Sequence, residues 1–321
     1  MFGSVSSDDI SSTLVSKVGF DNQLTLRVVY KAAVVENKQQ EAVMRELDLL
    51  KSMSKTASFA SCPCLPALKA TYSDKANLYV LYENKLCCSV GEIMDSLGDD
   101  HTLDEAAVKH VAMCVISGLE VLHQAGVVYR GISPDTLLVS TDGMVTLANF
   151  QHSRQNPDGN LTICGSPEYL APEVVVQQGH GISADYWTLG VLLYELFANE
   201  TPFHASNEID IYAKICRHKA GGLTGNLPAD ATIRTAGKGG AIAWIEKLLE
   251  PDPELRVGSL ANAGGNVRKG AAGWISGKNW KTFSSATFEE EAAKQLLQKV
   301  EAGNAVKTIA YKGNGRWCEG W

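Results

Sequence analysis

The chain lacks an apolar run long enough to span a bilayer. Its longest, Trp187 to Ala198 (WTLGVLLYELFA), falls short of the roughly 20 residues a span needs and contains Glu195, so it reads as a buried core helix. No dense basic stretch occurs either. Lys+Arg 29 against Asp+Glu 36 leaves a net charge of −7, which argues against nucleic acid and against anionic membrane surfaces as partners. Paired CxxC knuckles are missing as well. Cys62, Cys64, Cys87, Cys88, Cys114, Cys164, Cys216 and Cys318 do not carry zinc-site spacing, so no metal is expected and the cysteines read as buried free thiols. The opening MFGSVSSDD has neither a basic nor an apolar signal region, so a cytoplasmic, reducing setting is expected. Glycine and proline stand near ordinary usage, without repeats, which excludes collagen, coiled coil and wholesale disorder.

What is present is a globular composition, 45% hydrophobic and 20% charged over 321 residues, enough for about two lobes at roughly 150 residues each. The first quarter mixes strand and helix patterns. Leu24 to Val29, Leu65 to Thr71 and Leu78 to Glu83 read as strands, and Glu36 to Ser52 reads as an amphipathic helix with Val43, Leu47 and Leu50 inward. From Leu103 the pattern is mostly helical, beginning with Asp104 to Gln124. A strand pair, Leu137 to Val139 and Val145 to Ala148, turns at Asp142-Gly143. After a loop of about 25 residues, helices are expected near 184–199, 207–218 and 241–250. The Gly-rich stretch 220–240 reads as an exposed insertion, and 288–302 as a last amphipathic helix before a tail with Trp317 and Trp321.

Residues 126–195 carry specific wording: GVVYRGISPDTLLVSTDGMVTLANFQ, then TICGSPEYLAPEVV, then GISADYWTLGVLLYE. This resembles the large lobe of a eukaryotic protein kinase, and TICGSPEYLAPE with SADYWTLG resembles the cyclic-nucleotide-dependent (AGC) branch. Upstream, VVENKQQEAVMRELDLLKSM resembles that branch's third strand and αC helix. The likeness covers about residues 20–285, and its centre is ungapped: 18 residues separate Gly131 from Asn149, 24 separate Asn149 from Glu173, and 12 separate Glu173 from Asp185. It implies an α+β, bilobal fold: a divergent strand-rich N-lobe over 1–83, a helical C-lobe over 84–285, and a C-terminal helix and tail over 286–321.

The chemistry this likeness implies is phosphoryl transfer from ATP, which needs a Gly-rich loop, a β3 Lys paired with an αC Glu, H-R-D with a following Asn, and D-F-G. The sequence departs from nearly all of it. H-R-D reads Tyr129-Arg130-Gly131, so the carboxylate that would take the hydroxyl proton is gone. The lysine position holds Ser133 and the metal-binding Asn position holds Thr136. D-F-G reads Asn149-Phe150-Gln151, where a neutral amide replaces a metal-binding carboxylate. Arg27 stands at the β3 Lys and is not a conservative exchange at a phosphate contact, and Thr25 stands at the adenine-side Ala. No GxGxxG precedes Arg27.

Scaffold positions persist. By resemblance, Leu50, Leu68, Tyr129, Phe150 and Asp185 fill the spine that joins the lobes, and Glu173 and Arg256 form a buried ion pair anchoring the activation segment. Arg27, Glu46 and Glu92 are vestiges of a nucleotide site. Thr162 stands at the branch's activating phosphothreonine, with Arg130 as its partner, and also reads as a plain surface residue. Tyr82 takes the gatekeeper position; Cys87-Cys88 follow the hinge and read as a reactive thiol or as ordinary packing. These features lead to the expectation of a pseudokinase, not an enzyme, serving other protein subunits as a scaffold or structural partner without cofactor. The alternative is a divergent serine/threonine kinase that still binds ATP and Mg²⁺ and transfers phosphoryl weakly, with Asp135 or Asp158 as replacement carboxylates.

Overall fold

The structure is a computed structural model that describes residues 10–17, 23–97, 103–155, 161–223, 240–259, 267–270, 274–275 and 308–311. Strands β1 (Ile10–Lys17) and β2 (Gln23–Tyr30) form an antiparallel pair. In β2 the buried residues alternate, with Thr25, Arg27 and Val29 turned inward, as the period of two in a strand requires. The helix expected over 36–52 begins four residues later, as α2 (Gln40–Met53), and a short α1 (Lys31–Glu36) precedes it. Lys38 at φ 55° separates the two, since a left-handed residue cannot continue a right-handed helix. α2 buries Val43, Glu46, Leu47, Leu50 and Met53 on one face. After the short α3 (Ala57–Ala60), strand β3 runs Leu68–Ser73 and β4 Asn77–Tyr82. The β3 strand starts three residues later than expected because Pro63 and Pro66 hold the preceding chain in turns and donate no ladder hydrogen bond.

A crossover leads to β5 (Leu86–Ser89) and α4 (Val90–Ser96), then to α5 (Glu105–Gln124), capped by Asp104, whose carboxylate accepts from Ala107 N–H at 2.8 Å. Strands β6 (Val127–Val128), β7 (Leu137–Ser140), β8 (Val145–Leu147) and β9 (Arg154–Gln155) follow. The helical part continues with α6 (Pro172–Val175), α7 (Ser183–Ala198), α8 (Glu208–Arg217), α9 (Ala241–Leu248) and α10 (Val267–Gly270). α5 is long and apolar enough to cross a membrane by length and composition, yet 72% of that window is buried inside the fold, as in a core helix. α7 is apolar on nearly all sides and buried, which marks the centre of the large lobe. A Cβ on Gly190 would come within 2.9 Å of Leu249, so glycine there sets how closely α9 approaches α7. Asn199 ends α7 at φ 54°, a left-handed cap.

The small-lobe sheet has five strands in the order β10-β1-β2-β4-β3. The outermost, β10 (Thr308–Tyr311), comes from near the C-terminus and pairs in parallel with β1, Leu14 against Thr308; the sequence pattern gave no sign of this strand. The Gly-rich stretch from 224 to 239 and the helix expected over 288–302 lie outside the described residues.

Candidate functional site

The site lies where β2, α2, the crossover and the loops after β6 and β8 converge. Arg27 on β2 reaches Glu46 on α2 with two parallel hydrogen bonds, Nη1 to Oε1 at 2.6 Å and Nη2 to Oε2 at 3.2 Å. Both side chains are buried. Burial alone would lower the Arg27 pKa, but the Glu46 carboxylate outweighs it and the guanidinium is held more firmly charged. Glu46 Oε1 also accepts the Phe150 N–H at 3.1 Å. One carboxylate thus ties strand, helix and the Asn149-Phe150-Gln151 loop together.

Below it, the Phe150 ring meets Tyr129 edge-on with centroids 5.2 Å apart, and Phe59 at 6.4 Å. Leu50 is fully buried and Leu68 packs against the same core. Asp185 on α7, 1% exposed, accepts from Tyr129 N–H at 2.8 Å and from Arg130 N–H at 2.7 Å, and meets His123 Nε2 at 2.8 Å. These bonds hold Arg130 at φ 57°, a left-handed conformation costly for a non-glycine residue unless its surroundings fix it. Glu173 and Arg256 form a bidentate buried pair at 2.7 and 3.0 Å, with the Arg256 guanidinium over the Trp187 ring.

The positions that carry chemistry in the related motifs are engaged in local structure. A Cβ on Gly131 would lie 3.0 Å from the Asn149 carbonyl oxygen. Asn149 Oδ1 accepts from Gln151 N–H at 3.1 Å, closing a turn, and Gln151 is buried with its Nε2 unpaired among the described residues. Thr136 donates its hydroxyl to the Gly131 carbonyl at 2.5 Å and accepts the Ser133 N–H at 2.9 Å. Glu92 accepts the Ser89 N–H at 2.7 Å while Ser89 accepts the Glu92 N–H at 3.0 Å, so Glu92 caps α4. Asp135 is exposed overall, but its carboxylate packs where a Cβ on Gly91 would stand. Partial loss of solvent around the carboxylate, then Asp95 and Glu92, raises its pKa. Asp158 lies outside the described residues. Among the described residues no three His, Cys, Asp or Glu side chains stand together as a metal site. A hydroxyl already bonded and an amide turned to its own backbone make a poor divalent-cation set, so Mg²⁺ does not fit these residues.

On the crossover side, Thr25 is fully buried. Its hydroxyl donates to the Asn84 carbonyl at 2.7 Å and accepts the Leu86 N–H at 2.8 Å. Sequence reasoning placed Thr25 beside the nucleotide but could not show this bridge, whose partners lie about 60 residues away. Tyr82 ends β4 in the same wall, 3% exposed, its phenol pKa raised by burial. On the opposite side, Arg130 donates to the His152 carbonyl at 2.8 Å and meets His180 Nε2 at 3.2 Å and the Thr162 carbonyl at 3.4 Å. Its Nη2 is buried without a hydrogen-bond partner among the described residues, while Thr162 itself is exposed.

Comparison with known proteins adds the family context. Residues 16–263 match the model of the protein kinase domain. The chain is 29% identical over 278 residues to cGMP-dependent protein kinase 2 of Rattus norvegicus, covering 86% of this chain and 34% of that protein. It is 30% identical over 281 residues to cGMP-dependent protein kinase egl-4 of Caenorhabditis elegans, covering 87% and 34%. Against the cAMP-dependent protein kinase catalytic subunit of Dictyostelium discoideum it is 30% identical over 289 residues, covering 90% and 39%. The chain spans about a third of the length of the curated relatives it matches. These matches overturn the expectation that the chain is not an enzyme: the domain and the relatives' names point to a kinase. The losses at the base, metal-binding and phosphate-binding positions had led to the opposite reading.

Proposed function

The chain belongs to the protein kinase family, and from that premise we propose that it is a divergent serine/threonine protein kinase that binds ATP and transfers its phosphoryl group slowly to a protein hydroxyl. The observation that carries this reading is the double engagement of Glu46, with Arg27 at 2.6 Å and with Phe150 N–H at 3.1 Å. A kinase must have that cation–carboxylate pair in place before transfer, because its catalysis is mainly positioning and electrostatics. Arg27 supplies the fixed positive charge facing the phosphates. Asp135, its pKa raised by partial desolvation and by neighbouring carboxylates, is the proposed proton acceptor, since a base works best with a pKa closer to the operating pH. No step is assigned to a metal.

Kinases turn over at roughly 1–100 s⁻¹, and loss of the usual base costs about 10²–10⁴, which leaves roughly 10⁻⁴ to 1 s⁻¹ before any further electrostatic loss. Thr162 is proposed as a regulatory phosphate acceptor, supported by the buried, unsatisfied Nη2 of Arg130 nearby. The cytoplasm is the proposed compartment. The test is the initial rate of radiolabel transfer from ATP to a serine peptide by the full chain. Transfer inside that window, lowered at least about tenfold by Asp135→Ala, is expected. Label no higher than a protein-free blank would overturn the proposal.

A further inference from the structure

Cys87 and Cys88 are adjacent, and in a regular strand adjacent side chains point to opposite faces. Here they do not. β5 pairs with β7 through Leu86 opposite Ser140 and Cys88 opposite Val139, with the register shifting in between. Cys87 is therefore the extra residue of a bulge, a feature that re-aims side chains. The two Sγ atoms come within 4.0 Å of each other, and the Cys87 thiol donates to the Val139 carbonyl oxygen at 3.1 Å. Both thiols are half-buried rather than sealed in the core. The two thiols share one hydrogen bond, donated by Cys87, so loss of a proton from the pair leaves a thiolate beside a thiol. A thiolate beside a second thiol is the arrangement that thiol–disulfide exchange needs.

We propose that Cys87 and Cys88 are a modification site, a vicinal dithiol that closes to a disulfide within the chain by exchange with a glutathione-type disulfide. The Cys87 thiolate attacks one sulfur of oxidised glutathione. A Cys87–glutathione bond forms, the glutathione disulfide breaks, and one glutathione leaves as its thiolate. Cys88 then gives up its proton and attacks the Cys87 sulfur, which forms the Cys87–Cys88 bond and expels the second glutathione. Two electrons pass from the cysteine pair to the glutathione disulfide, and the two protons leave on the two glutathione thiols. Adjacent Cα atoms, about 3.8 Å apart, sit closer than the usual disulfide span of about 4.4–6.8 Å, so the closed ring is strained and readily reduced. The site lies one residue beyond Leu86, whose N–H is held by Thr25, so closure acts on the segment joining the two lobes.

The proposal does not depend on phosphoryl transfer, and mass spectrometry tests it. The full chain is incubated with oxidised glutathione, free thiols are blocked with iodoacetamide, and trypsin cuts after Lys85 and Lys109. The peptide 86–109 contains Cys87 and Cys88 and no other cysteine. In the wild type it is expected to carry no alkyl group and to be lighter than its reduced form by two hydrogen atoms, a loss reversed by dithiothreitol. In Cys88→Ser, which lacks the resolving thiol, the same peptide is expected to keep one glutathionyl group. Two alkyl groups on the wild-type peptide, or a glutathionyl group retained there, would overturn the proposal.

Discussion

Thr25 holds Leu86 across the two lobes: its buried hydroxyl accepts the Leu86 N–H at 2.8 Å while donating to the Asn84 carbonyl at 2.7 Å. One side chain of the small-lobe sheet therefore satisfies two backbone groups of the crossover. Buried amides without partners are costly, so this bridge fixes the crossover against β2.

Thr25→Val keeps the shape and removes the hydroxyl, which leaves both backbone groups unpaired. Urea unfolding is expected to show a loss of about 1–3 kcal/mol, with Thr25→Ser close to wild type. Equal stability of the valine and serine variants would mean that packing, not the bridge, holds the segment.

Glu195 on α7 accepts a hydrogen bond from the Tyr169 hydroxyl. Burial, then Glu168 and Asp135, push its pKa up from 4.5 to about 7. The folded chain thus keeps a proton that the unfolded chain releases, and the stability contribution of this group falls as pH rises from about 4.5 towards about 7. Glu195→Gln should flatten the fall in melting temperature over that window. An unchanged slope in the variant would assign it to another group.

Arg256 is completely buried and bonds Glu173 at 2.7 and 3.0 Å, the Ser183 carbonyl at 3.0 Å and the Glu250 carbonyl at 2.8 Å. Glu173→Gln leaves an uncompensated guanidinium in the core and is expected to cost about 3–5 kcal/mol. Chemical denaturation measures it, and a loss under about 1 kcal/mol, the range of exposed pairs, would show that the pair is solvated in solution.

Phosphorylation of Thr162 would bring an anion to Arg130, whose Nη2 is buried without a hydrogen-bond partner among the described residues. One to three new charge-assisted hydrogen bonds are expected. The phosphorylated chain should melt higher than the unmodified one, and Arg130→Gln should abolish the difference. A rise that survives in Arg130→Gln would place the phosphate elsewhere.

Much of the fold and of the site was legible because the informative residues lie within contiguous wording. The helical pattern over 104–124 announces α5, Asp142-Gly143 turns β7 into β8, and resemblance to the kinase motifs places Tyr129-Arg130-Gly131 and Asn149-Phe150-Gln151. What stayed illegible depends on partners far along the chain. The Thr25 bridge spans about 60 residues, the Cys87 bulge depends on the register of β7, and β10 pairs with a strand near the opposite terminus. Lys38 delays the helix expected from 36 until Gln40, because one left-handed residue leaves no trace in an apolar pattern.

The central claim is that an assembled kinase scaffold transfers phosphoryl slowly for want of two carboxylates. The most direct measurement compares radiolabel transfer from ATP by the wild type and by Gly131→Asp/Asn149→Asp, with circular dichroism confirming that both are folded. The new Cβ at 131 must displace the Asn149 carbonyl by a few tenths of an ångström from its 3.0 Å approach. Wild-type transfer above a blank, raised about 10²-fold or more in the double variant, is the predicted result. Folded proteins of both kinds that transfer no label above the blank would contradict the account.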